Sequence, residues 1–146
     1  MSVWSPSSCT ISHADNGVFE GAGIVKVFAA LALLATPLAA ADVPSGQPVT
    51  LHEVLVDAQE TATYLRFRFL APQIGKSVDF DLAGPDMMHL CQNVALKYMT
   101  DYALEGDKIV ISFMDRITEF GVPDPDAVQY FEAFKPKNDT CMWDDF

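Results

Sequence analysis

Asp86-Met87-Met88-His89 sets a carboxylate, two thioethers and an imidazole within four residues. On a helix, Asp86 and His89 are three apart and share a face. Soft thioethers favour Cu(I), and exported copper proteins combine Met with His, so Asp86 and His89 are the metal-ligand candidates. Met87 and Met88 are adjacent and diverge by about 100° around a helix. Core methionines and a capping Asp account for the same residues. Arg66 and Arg68, two apart within Leu65-Arg66-Phe67-Arg68-Phe69, place two guanidinium forks on one side of a strand. Such forks suit a carboxylate or phosphate, which makes them anion-binding candidates. The competing reading pairs them with Asp79 and Asp81. Asp124 and Asp126 lie in a Pro-stiffened loop but lack the spaced acids and glycine of a calcium loop. Asn138-Asp139-Thr140 matches a glycosylation sequon, a short and unspecific motif.

No nucleophile motif accompanies these groups. Ser45, Ser77 and Ser112 are the only serines after residue 41, and none sits in Gly-x-Ser-x-Gly. A His-Glu-x-x-His pair, a phosphate-cradling loop and a dinucleotide glycine pattern are all missing. Catalytic residues are therefore unknown, and no cofactor is implied.

The charge of the chain narrows its partners. Nine Lys and Arg stand against twenty Asp and Glu in 146 residues, a net charge of −11. A phosphate backbone needs clustered bases, so nucleic acid is excluded as a partner. Half of the residues are hydrophobic, too many for a disordered chain.

Val27 to Ala35 is a short apolar run, followed by Thr36-Pro37 and then by Ala39-Ala40-Ala41 before Asp42. This is the pattern of an export signal, cut between Ala41 and Asp42. The run is too short to span a bilayer, so no membrane span is expected once it is removed. Residues 1–24 are polar and acidic, unlike a signal's basic front end. Val25-Lys26-Val27 fits that role better, so 1–24 is read as a mis-assigned start. Residues 1–41 are then leader, and 42–146 are one domain, periplasmic or secreted. Without Asp15, Glu20 and Lys26, eighteen acids face eight bases there.

Cys9 belongs to the leader, and Cys91 and Cys141 remain. Two cysteines in an exported chain read as a disulfide. Closing a loop of this length removes about 4 kcal/mol of unfolded-state entropy.

The elements that must position these residues follow from periodicity. Val49–Asp57 reads as a strand, with Leu51 and Leu55 on one face and Val54 and Val56 on the other. Thr63–Leu70 alternates, with Leu65, Phe67 and Phe69 inward. Ser77–Leu82 alternates too, with Val78, Phe80 and Leu82 inward. A hairpin between the last two would pair Phe67 with Phe80, Arg66 with Asp81 and Arg68 with Asp79. Gly84-Pro85-Asp86 opens a helix whose stripe is Met87, Cys91, Val94, Tyr98 and Tyr102, ending at Glu105-Gly106-Asp107. Lys108–Asp115 is a strand, and Ile117–Gly121 a short one. Residues 127–135 fit a helix or a strand; one helical turn and then a strand from Tyr130 is favoured, turning at 137–139 into Thr140–Trp143. The class is α+β: a single antiparallel sheet of five to seven strands with one main helix on one face.

Several segments carry a resemblance. They are Pro44-Ser45-Gly46-Gln47-Pro48-Val49-Thr50-Leu51, Leu65–Phe69, Asp86-Met87 through His89-Leu90-Cys91, Val110-Ile111-Ser112, Phe131-Glu132-Ala133-Phe134 and Cys141-Met142-Trp143. Together they resemble a family of small exported alphaproteobacterial proteins of unknown function. The resemblance implies export, one domain and a cysteine pair, and carries over no activity. The chain thus reads as a non-enzymatic exported domain that binds a macromolecule or small ligand, with a basic partner favoured. The alternative is a small metal-binding or hydrolase-like protein centred on Asp86 and His89.

Overall fold

The computed structural model describes residues 40–144. Cys9, Lys26 and the apolar run 27–35, on which the export signal is read, lie outside the described residues. Six strands form one sheet in sequence order. They are β1 (Ala40–Ala41), β2 (Val49–Ala58), β3 (Thr63–Leu70), β4 (Lys108–Met114), β5 (Gln129–Lys137) and β6 (Thr140–Asp144). Between β3 and β4 runs one helix in three stretches. These are α1 (Phe80–Leu90), a wider π-type stretch over Cys91–Ala95, and α2 (Leu96–Asp101). The class is α+β, as the periodicity implies. The bond expected to be cut, Ala41–Asp42, directly follows β1.

Alternation builds the core. Leu65, Phe67 and Phe69 of β3 stand beside Ile109, Ile111 and Phe113 of β4 in matching register, and all six are fully buried. Met87, Leu90, Cys91 and Ala95 of the helix close over them. Each buried side chain of this size contributes about 1.5–3 kcal/mol of transfer free energy. The turn into β4 passes so close to β3 that a Cβ at Gly106 would lie 2.7 Å from Leu65 Cγ, so only glycine fits there.

Six expectations are corrected. The sheet is not wholly antiparallel: β3 and β4 pair in parallel over seven positions, because the helix carries the chain back across the sheet before β4 begins. Ser77–Leu82 is not a strand, and the hairpin with β3 does not form. Both sides of β3 are taken, by β2 and by β4. Instead Asp79 caps the helix, its Oδ1 accepting the Leu82 N–H at 3.0 Å, and Asp81 sits in the first turn, where the helix dipole favours an acid. The helix therefore starts at Phe80, leaves Pro85 in its interior, and ends at Asp101. Ala103, at a φ of 50°, stops it before Glu105. On β2 a bulge between Leu51 and Glu53 shifts the phase, so Leu51 and Val54 face the core together and Leu55 faces away. Ile117–Gly121 forms no strand, and the chain takes no helical turn at Ala127. The β5–β6 hairpin turns where expected, with Asn138 and Asp139 both at positive φ.

Candidate functional site

The two arginines lie on the sheet face away from the helix. There β2, not the 79–81 segment, supplies the acids. Asp57 Oδ2 accepts from Arg66 Nε at 2.8 Å and pairs with its Nη2 at 2.7 Å. Arg66 holds the Asp57 carboxyl below the usual carboxylate range, with help from Gln59. Arg68 is buried. It pairs with Glu53 and donates from Nη2 to the Thr118 carbonyl at 2.9 Å and Oγ1 at 2.8 Å. Phe120 covers both guanidiniums, its ring centroid 5.4 Å and 5.7 Å from their carbons. The loop after β4 thus folds over the pair. As an anion clamp the arginines are already engaged by the chain's own oxygens.

Asp86 is wholly buried on the helix. Its carboxylate accepts from Ser45 N at 2.9 Å, Ser45 Oγ at 2.6 Å and Gln47 Nε2 at 2.7 Å. The Pro44–Pro48 segment is thereby fastened to the helix ahead of β2. Gln47 Oε1 has no hydrogen-bond partner among the described residues. His89 is partly buried, with Asn93 Nδ2 3.3 Å from its Nδ1 and donating to its carbonyl at 2.9 Å. Among the described residues no three His, Cys, Asp or Glu side chains gather closely enough to hold a metal ion. The ligands of the metal reading, Asp86 and His89, each have a different local partner.

Cys91 and Cys141 are bonded, with Cα atoms 6.2 Å apart. Gln92 supports the bridge. Its Oε1 accepts from Cys141 N at 3.0 Å, and its Nε2 donates to the Asp139 carbonyl at 2.9 Å. The helix widens over Cys91–Ala95, where it meets this hairpin. Just beyond lies a cavity of about 290 Å³, lined by Leu96, Met99, Leu104 and Pro136 among others.

One titratable group stands apart. In β5, Glu132 is opposite Ile111 and so faces the helix side of the sheet, between Tyr130 and Phe134. It is partly buried, and burial alone pushes its carboxyl above the ordinary glutamate value. It has no ion-pair or hydrogen-bond partner among the described residues. Aromatic rings stand on either side. Phe80 sets its edge against Tyr130, with centroids 5.5 Å apart, and Trp143 lies 4.8 Å from Phe134. Sequence reasoning missed this residue, although the signal was present: an acid at the middle of three alternate positions, flanked by two aromatics. Ser45 and Gln47 were missed because a loop shows no periodicity.

A mixed six-stranded sheet carrying one helix, with its arginines and its buried aspartate tied to other parts of the chain, defines a small α+β domain. The chain belongs to a family of unknown function (DUF6497), whose model matches residues 25–146. No curated protein and no solved structure matches it.

Proposed function

We propose that the chain is an exported, non-enzymatic domain that binds a basic partner outside the cytoplasm. The observation that carries this reading is the fate of its cations. Five of the eight bases in residues 42–146 (Arg66, Arg68, Lys97, Lys108 and Arg116) are ion-paired to acids of the same chain. The field outside is therefore left to the excess acids, which steer cationic surfaces inward and repel anionic ones. The bonded cysteines support an oxidising compartment. Among the described residues no helix is long and apolar enough to cross a membrane. The family match covers residues 25–146 and leaves out residues 1–24, in keeping with a leader that starts at Val25. Cleavage between Ala41 and Asp42 would also remove β1 and leave the outer edge of β2 open.

Two measurements test the reading. Intact-mass analysis of protein recovered from the cell envelope should give a chain starting at Asp42 with both cysteines oxidised; an uncut leader contradicts export. Polylysine should bind the protein and be released as salt rises, since exposed charges are screened beyond about 8 Å at physiological ionic strength. Absence of binding at low salt contradicts the basic partner.

A further inference from the structure

Tyr130, Glu132 and Phe134 occupy alternate positions of β5 and face the helix side of the sheet. A two-residue step along a strand is roughly 6.6 Å, so an aromatic ring stands about that far from the glutamate on each side. Across from Tyr130 is Phe80 at the start of α1, 45% exposed. Across from Phe134 is Trp143 of β6, 53% exposed. Large ring surfaces thus remain open to solvent on both flanks of a carboxylate. One turn after Phe80 the helix presents Gly84, where an added Cβ would meet only Trp143 Cη2, at 3.9 Å. Gly84 is itself buried, so the start of the helix packs close to the Trp143 ring here.

Elementary chemistry selects the ligand. A carboxylate at a helix-facing sheet position works against the fold unless something offsets its lost hydration. An anion would be repelled. An apolar group would cover the rings yet leave the charge without a partner. A cation satisfies both parts, because aromatic faces attract positive charge within about 6 Å and the carboxylate adds a Coulomb attraction. We infer that Glu132, Phe80, Tyr130 and Trp143 form a site for an alkylammonium group, carried by a small free amine or by a lysine side chain. The inference rests on the reading of the chain as a binder of basic partners, and it names where the charge is received.

Trp143 reports on the site directly, since the other tryptophan, Trp4, lies in the leader. Tetramethylammonium chloride and N-acetyl-lysine methylamide are titrated into the purified protein against sodium chloride of equal ionic strength, with indole fluorescence as readout. At least one should give a saturable change, absent in Trp143→Phe and at least tenfold weaker in Glu132→Gln. The tighter of the two probes identifies the source of the ammonium group. No saturable change, or the same affinity in Glu132→Gln, overturns the site. The Glu132→Gln side chain keeps the shape of the original, and its circular dichroism and urea midpoint verify folding. Polylysine binding that persists while both probes are silent overturns the site but leaves the basic-partner reading standing. A probe that binds through Glu132 while polylysine does not supports the site and overturns the macromolecular partner.

Discussion

Asp86 and Glu132 are two carboxylates on the helix side of one sheet, and the fold treats them in opposite ways. Asp86 is wholly buried and accepts three hydrogen bonds, two from Ser45 and one from Gln47. Glu132 is nearer the surface and accepts none within the described residues. A buried charge survives only when donors replace the water it loses. Asp86 meets that rule with its own chain and therefore fastens structure. Glu132 does not meet it, and the rings around it are those that suit a cation. The difference teaches where to look for function: at the polar group the chain has left unsatisfied, not at the most buried one.

The largest expected effect removes the frame that both carboxylates share. Cys91 sits on the helix that carries Asp86, and Cys141 on the strand next to Glu132's own. Reducing the bridge should lower stability by about 4 kcal/mol, read as a fall in urea midpoint with reductant. An unchanged midpoint would show that the staple does not hold the helix to the hairpin. Next, Asp86→Ala leaves the donors of Ser45 and Gln47 without their acceptor and should cost about 3 kcal/mol in denaturant unfolding. If the loss is as small as that of a surface change, Asp86 is not the fastening described.

Smaller effects probe the other side of the comparison. Gly84→Ala should raise the unfolding midpoint by about 0.5–1 kcal/mol, since alanine is the better helix former and its methyl finds only ordinary contact with Trp143. Glu132→Gln should change stability at neutral pH by less than about 1 kcal/mol, and upward, the reverse of Asp86→Ala. Its pH dependence has a definite sign. Burial raises the folded carboxyl above its unfolded value, so in the wild type the Glu132 contribution favours folding at low pH. That contribution is lost as pH rises through the raised folded value. The gain from Glu132→Gln should therefore appear on moving from about pH 4 to pH 7. Asp57 and Asp115, lowered by Arg66 and Arg116, act the other way in both proteins and cancel in the difference. A Glu132→Gln protein that is destabilised at pH 7 would make Glu132 a structural residue.

Much of the frame was legible in the residues. The alternation of Leu65, Phe67 and Phe69, and of Ile109, Ile111 and Phe113, predicts both central strands because one apolar face per strand is what burial requires. Direction was not legible. Whether β4 runs with or against β3 depends on where the intervening helix begins, and Val78, Phe80 and Leu82 imitate a strand while Asp79 caps a helix. A local capping bond decided what periodicity left open. The Arg66 and Arg68 charges were expected to meet Asp81 and Asp79; instead the bulge on β2 brings Asp57 and Glu53 to them. The candidate site was almost illegible. Phe80 and Trp143 reach Glu132's neighbours from positions 52 residues before and 11 residues after it, and no local pattern encodes that meeting.

The most direct test follows the Glu132 carboxyl itself by carbon-detected NMR through a pH titration, with and without tetramethylammonium. Its midpoint should lie above the ordinary glutamate value and move down when the cation is added, because an ammonium group favours the ionised form. A midpoint at the ordinary value, or one that the cation leaves unmoved, would contradict the account.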